Sequence, residues 1–186
     1  VIEFPTYSHP GEKYISIDAA HGALMYGIIV AQKPSVVLEL GIGLGYSTRI
    51  LVEAVRYNKV GEIYCVDNWI VSNGAEPPWA EELRKQGVKI IAPVEEEQFC
   101  TACQDNFCDF LFSDADHGRS PEWLHHHLRI TKPNGFMFFH DTAHPDYPAL
   151  WVLEERVKHL PAFHFRAKSR EDEETQRGIL MVINRK

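Results

Sequence analysis

Short apolar runs alternate along this chain with longer segments in which apolar positions recur at helical spacing. Ile17, Ala20, Leu24, Ile28 and Ala31 predict a first helix over Tyr14–Ala31, closed by Lys33-Pro34. Val36-Val37-Leu38-Glu39-Leu40 is short and β-branched, the pattern of a strand buried on both faces. A glycine-rich turn comes next, then a helix from Ser47 to Val55. Further strands are predicted at Glu62–Asp67, Val88–Ile91, Phe107–Ser113 and Phe136–His140, the last entered through a Pro133-Asn134-Gly135 turn. Helices are predicted at Trp79–Gln86, Glu95–Ala102, Pro121–Arg129 and Leu150–Leu160. Phe163–Ala167 and Gly178–Ile183 are joined by the charged stretch Lys168–Arg177, a spacing that suits an antiparallel hairpin.

Strands alternating with helices imply an α/β fold. The expected sheet is mostly parallel and seven-stranded, with helices on both faces, right-handed crossovers and a C-terminal antiparallel hairpin. No linker divides the chain, so one domain over residues 1–186 is expected.

Composition narrows the function. Hydrophobic residues make up 45% and charged residues 24%, as in an ordinary folded protein. A formal net charge of -7 without a Lys/Arg-rich run argues against nucleic acid as a partner. No apolar run is long enough to span a bilayer, and no leader pattern is legible, so a cytoplasmic chain acting on a small molecule is expected. Cys100-x-x-Cys103 with Cys108 could begin a zinc site, but no clear fourth ligand lies nearby. Free thiols are expected, with Cys65 buried in its strand.

The strongest chemical signal is Glu39-Leu40-Gly41-Ile42-Gly43-Leu44-Gly45-Tyr46-Ser47. A strand ends, three alternating glycines succeed it, and a helix begins. Glycine lets the backbone turn sharply and approach a ligand, and the helix start offers N–H groups and a positive dipole end. The spacing departs from the G-x-G-x-x-G dinucleotide fingerprint, because Tyr46 stands where the third glycine would be. Asp67 closes the second strand, where an acid accepts hydrogen bonds from ribose hydroxyls. Asp114-Ala115-Asp116-His117 and His140-Asp141-Thr142 come directly after the fourth and fifth strands. Ligands of open parallel sheets bind beyond the carboxyl ends of strands, and polar residues stand there on strand after strand.

The glycine motif, the S-D-A-D-H run and K-P-N-G-F-M-F-F-H-D-T together resemble the small class I S-adenosylmethionine-dependent methyltransferases with D-G-D-H and H-D motifs. More distantly, the chain is similar to the catechol and caffeoyl-coenzyme A types of O-methyltransferase. The resemblance implies the Rossmann-like class I methyltransferase fold and S-adenosylmethionine as cofactor. It places Glu39, Gly41, Gly43, Gly45 and Ser47 at the methionine end, Asp67 at the ribose, and Asn68 and Val94 at the adenine. Asp114 is expected beside the sulfonium. In the metal-dependent relatives the residues matching Asp114 and Asp141 bind a divalent ion such as Mg. Here Thr142 replaces an Asn ligand, and His140 is a possible substitute. His117 stands where those relatives carry a lysine base, and with an ordinary pKa near 6.5 it could accept a hydroxyl proton; His144 is a second candidate. His125-His126-His127 reads as helix surface and boundary. Phe4, Tyr14, Trp69, Tyr147 and Trp151 are candidates to cover an acceptor. Small methyltransferases of this kind often form homodimers.

The expected reaction is O-methylation of a small hydroxylated acceptor. A nicotinamide-dependent oxidoreductase is the rival enzyme, and it lacks a Tyr-x-x-x-Lys pair after the fourth or fifth strand. A catalytically inert cofactor-binding module is the rival from another class.

Overall fold

The computed structural model describes residues 17–166 and 177–185. Five strands, β1 (Val36–Leu40), β2 (Glu62–Val66), β3 (Val88–Ile91), β4 (Cys108–Ser113) and β5 (Thr131–His140), pair in parallel. β6 (Ala162–Phe165) and β7 (Ile179–Ile183) are antiparallel to each other, and β7 is antiparallel to β5. The sheet order is β3-β2-β1-β4-β5-β7-β6. Strand order therefore reverses between β1 and β4, where α/β sheets open a crevice beyond their carboxyl ends. This is the class I methyltransferase fold expected from the sequence.

Alternation along the strands sorts side chains between two cores. Val37, Phe110, Phe112 and Phe138 pack beneath α1 (Ala19–Gln32), α2 (Tyr46–Asn58) and α3 (Trp79–Lys85). Leu38, Leu40, Leu111, Met137 and Phe139 pack beneath α4 (Glu96–Ala102), α5 (Leu124–Ile130) and α6 (Val152–Arg156). The same period of two puts Glu39 on the α2 side with Val37, and His140 on the α1 side with Phe138.

Several expectations need correction: α1 begins at Ala19, so Ile17 precedes it, and Ser120–Trp123 is a 3-10 turn ahead of α5. α1 buries His21, Gly22, Met25 and Ile29, whereas Ala20 and Ala31 are exposed. The helix is apolar nearly all round, so periodicity alone could not choose its inner face. Contact chooses it: a Cβ on Gly22 would lie 2.5 Å from Ile50 Cδ1, so α1 and α2 meet through that glycine. Next, β5 begins at Thr131, so Pro133-Asn134-Gly135 lies within the strand. Those residues find partners in Asn184: the Asn134 N–H donates to the Asn184 carbonyl at 2.6 Å, and the Asn184 N–H donates to the Gly135 carbonyl at 2.9 Å. Last, Leu150–Leu160 divides into a 3-10 turn at Pro148–Trp151 and α6, which stops at Arg156. The hairpin forms as expected, although its connecting stretch lies outside the described residues. Among those residues no helix is long and apolar enough to cross a membrane.

Candidate active site

The turn after β1 is built on left-handed backbone at Gly41 (φ 91°), Gly43 (φ 56°) and Gly45 (φ 77°), conformations that side chains other than glycine resist. Gly41 is needed twice over, because a Cβ there would lie 2.6 Å from the Asp114 carbonyl oxygen. The ends of β1 and β4 thus touch at this point. Glu39 braces the turn from within. It is fully buried and accepts hydrogen bonds from Ser47, from Thr48 at 2.6 Å and from the Cys65 thiol at 3.1 Å. Burial raises its pKa to about 7, against the partial opposition of those hydrogen bonds. Asp67 braces the turn from the side of β2. One of its oxygens accepts the N–H groups of Ile42 (2.7 Å) and Gly43 (3.2 Å), and the other accepts that of Trp69 (2.6 Å).

The ends of β4 and β5 carry a denser cluster. His117 Nε2 lies 3.0 Å from Asp141 Oδ2 and 3.2 Å from Asp114 Oδ1, and its Nδ1 lies 2.9 Å from the Ala115 carbonyl oxygen. Both ring nitrogens therefore face only acceptors, which requires both to carry protons. Burial alone would lower this pKa, but the hydrogen bonds that His117 donates to Asp114 and Asp141, and the charges of those acids, outweigh it and raise it to about 11. The free base anticipated from an ordinary histidine is thus an imidazolium at neutral pH.

His140 Nδ1 sits 3.1 Å from Asp114 Oδ1 and 3.4 Å from Asp141 Oδ1. Its Nε2 meets His21 Nδ1 at 3.2 Å, and that nitrogen lies 3.4 Å from Asp18. Burial and the neighbouring His140 lower the His21 pKa to about 4. Arg177 clamps Asp141 through Nε at 2.6 Å and Nη2 at 2.9 Å. Burial would raise the pKa values of both Asp114 and Asp141, yet these cationic neighbours hold them well below the usual carboxylate range. Asp141 takes up left-handed backbone (φ 55°), a conformation an Asp tolerates better than most residues.

Another buried acid holds the loop that carries Asp114 and His117. Glu96 accepts the Asp116 N–H and the Ser113 hydroxyl, each at 3.2 Å, and pairs with His127 Nε2 at 2.8 Å. His127 is fully buried, which corrects its reading as a surface or boundary residue. The four cysteines are free thiols, and Cys100 lies beside Glu96 and His127.

A cleft of about 220 Å³ joins the two parts, with Gly41, Gly43 and Ser47 on one wall and Asp114, His117, Asp141 and Arg177 on the other. Ile17 and Tyr147 are also in the lining, and the Tyr147 ring packs on His117 with centroids 4.4 Å apart. Asp67 lies behind the glycine turn. Val94 and Asn68 adjoin it: the Val94 N–H donates to the Asp67 carbonyl at 2.9 Å, and Asn68 donates to Glu95 at 3.1 Å. His144 is outside the lining and receives the Asp146 N–H. Trp69 is buried against Trp79, Trp151 is exposed, and Phe4 and Tyr14 lie outside the described residues. Sequence reasoning missed Arg177, His21, Glu96 and His127. His21 alone left a signal, a polar residue one position from the glycine contact of an apolar helix.

The lining residues are compatible with S-adenosylmethionine: the glycine turn at a helix start can take a carboxylate, and the Asp114 carboxylate suits a cationic sulfur. A divalent metal fits poorly, since both oxygens of Asp141 are held by Arg177. Thr142 is 2% exposed, and its hydroxyl pairs with His164 Nε2 at 2.9 Å.

Known structures share this architecture. An O-methyltransferase from Bacillus cereus, in complex with S-adenosylhomocysteine, aligns with a TM-score of 0.69 at 16% identity, over 91% of this chain and 83% of that one. The O-methyltransferase of tomaymycin synthesis from Streptomyces achromogenes, in complex with S-adenosylmethionine, also gives 0.69 at 16% identity, over 91% and 82%. A methyltransferase from Geobacter sulfurreducens gives 0.70 at 16% identity, over 95% and 84%. The fold is thus that of the class I S-adenosylmethionine-dependent methyltransferases. Residues 38–142 match the family model described as "Methyltransferase domain", and the chain belongs to that family. No curated protein matches the sequence.

Proposed function

We propose that the chain methylates a hydroxyl group of a small acceptor, with S-adenosylmethionine held by the Gly41–Ser47 turn. The observation that carries this reading is the shared cleft, where the glycine wall faces a carboxylate that keeps one oxygen open to a further hydrogen bond. A carboxylate accepts about four hydrogen bonds. Asp114 meets His117 and His140 through Oδ1. Its Oδ2 is therefore the acceptor available to an incoming hydroxyl. Asp67 accepts three N–H groups and retains capacity for a ribose hydroxyl, with Asn68 and Val94 beside it.

When bound, S-adenosylmethionine supplies an electrophilic methyl group on a positively charged sulfur. The chain's own part is orientation and proton acceptance. Asp114 draws the acceptor hydroxyl into line, and takes its proton as the oxygen commits its lone pair to the methyl carbon, whose bond to sulfur would break with both electrons left on the sulfur. A carboxylate with a depressed pKa suffices, because the oxygen becomes strongly acidic as that bond forms. His117 and His140 hold Asp114 in place, and the His117 imidazolium fixes the charge balance of the pair. Tyr147, 37% exposed, partly covers the cleft. Alignment of this kind supplies up to roughly 7–11 kcal/mol of barrier reduction.

The O-methyltransferases among similarly folded proteins agree with a hydroxyl acceptor. The test is calorimetric binding of S-adenosylhomocysteine against NAD, followed by a methyl-release assay over hydroxylated, carboxylic and amine acceptors. Binding of the first ligand alone, with turnover on hydroxyls, is the expected result. Turnover confined to amines would overturn the acceptor assignment.

A further inference from the structure

We propose that Arg177, with the His117 ring, occupies the place at Asp141 that a divalent cation would need, so that the acceptor side of this site works without a bound metal. The inference rests on the methyl-transfer reading of the cleft. It comes from counting acceptor positions on Asp141. Arg177 Nε and Nη2 take two at 2.6 and 2.9 Å and His117 takes a third at 3.0 Å, while the His140 ring, hydrogen-bonded to Asp114, stands 3.4 Å from Oδ1 and crowds the remaining side. About four positions exist on a carboxylate, so three are taken, both oxygens are engaged, and the one left is crowded by the His140 ring.

The neighbouring donors do not make up the deficit. Thr142 is turned toward His164. Asp114, His140 and Asp141 do bring ligand atoms within 4.8 Å of one another, but His140 Nδ1 is itself pinned between the two carboxylates. Hard cations such as Mg²⁺ need octahedral oxygen coordination, commonly anchored by one or two carboxylates. Among the described residues, Asp114 Oδ2 is the single unengaged oxygen of the two acids. An ion reaching Asp141 would have to part a bidentate Arg–carboxylate pair, among the strongest of hydrogen-bonded contacts, in a buried setting. It would also approach a guanidinium at close range, where repulsion is large away from bulk water.

Backbone geometry fixes where Arg177 stands. Its carbonyl accepts the Ala143 N–H at 2.8 Å. Gly178 next to it has φ 75°, and a Cβ there would lie 2.7 Å from the Ala143 Cβ. The entry to β7 and the turn after β5 are therefore pressed together, which brings the Arg177 side chain within reach of Asp141. A fixed positive charge then stands where an ion would otherwise neutralise the acids.

Titration of Mn²⁺, followed by calorimetry and electron paramagnetic resonance with S-adenosylhomocysteine present, tests the proposal. The wild-type chain is expected to take up no ion at millimolar Mn²⁺, and turnover is expected to survive EDTA. Arg177→Met combined with Thr142→Asn frees Asp141 and adds an amide oxygen, and this variant is expected to bind Mn²⁺ stoichiometrically. Equimolar uptake by wild type overturns the proposal, and so does a variant with no gain over wild type. Retained S-adenosylhomocysteine binding reports that the variant is folded; if it is lost, Arg177→Gln alone replaces it, with weaker uptake expected. Failure of wild type to bind S-adenosylhomocysteine would count against the methyl-transfer reading instead, and the Mn²⁺ comparison would still be decided without that ligand.

Discussion

On the β1–β2 side of the rim, the buried acids Glu39 and Asp67 are satisfied by neutral donors, namely hydroxyls, a thiol and backbone N–H groups. On the β4–β5 side, Asp114 and Asp141 are satisfied by imidazoles and a guanidinium. The two settings push protonation in opposite directions. Glu39 is raised toward neutrality by burial, whereas Asp114 and Asp141 are held ionised by their cationic partners. A glycine wall at a helix start, with backbone N–H groups and no fixed countercharge, suits the carboxylate end of a ligand. A charge-paired wall suits proton acceptance, because its acids stay ionised away from water.

The largest effect should come from breaking the charge-paired side. Asp141→Asn leaves Arg177 and His117 without their shared anion, and stripping one partner from a buried ion pair costs about 3–5 kcal/mol. Urea unfolding should register that loss, together with disappearance of methyl transfer; a variant as stable as wild type would mean that the cluster is solvated.

The two sides should also separate along the pH axis. Glu39 is raised from 4.5 to about 7, so between those values only the unfolded chain releases the proton and stability falls as pH rises. The full drop is about 3 kcal/mol, and Glu39→Gln should remove it. His117 is raised from 6.5 to about 11, so its contribution is complete below 6.5 and is lost as pH climbs through 11. His117→Gln should flatten that upper window only. Unfolding midpoints from pH 4 to pH 10 check both slopes, and a single variant flattening both windows would show that the two sides are not independent.

The smallest effect sharpens the neutral side. Ser47→Ala removes one hydroxyl from Glu39 while Thr48 and Cys65 remain, a loss of about 1 kcal/mol. The Glu39 pKa should move further up in the same variant, which carbon-13 shifts of the carboxyl would report.

The sheet was legible because buried parallel strands leave unbroken apolar runs. Val36–Leu40 and Val88–Ile91 begin and end where their patterns do. The glycine turn was legible for a related reason, since three left-handed positions demand glycine whatever surrounds them. The inner face of α1 was not, as an all-round apolar helix offers no stripe to read. Nor was the state of His117: its type and position stand in the sequence, but its proton count depends on two carboxylates from separate strands. Arg177 was hidden in a charged stretch between strands, where one basic residue looks like the next.

What the chain itself determined is therefore whatever depends on local pattern: the order of strands and helices, the glycine turn, and acids at successive strand tips. Tertiary structure alone decided which of those acids received hydroxyls and which received cations. That choice is made by pairings across 36 residues between Arg177 and Asp141 and across 119 residues between His21 and His140. Proton affinity in a buried site is set by neighbours in space, and distance along the chain does not encode them.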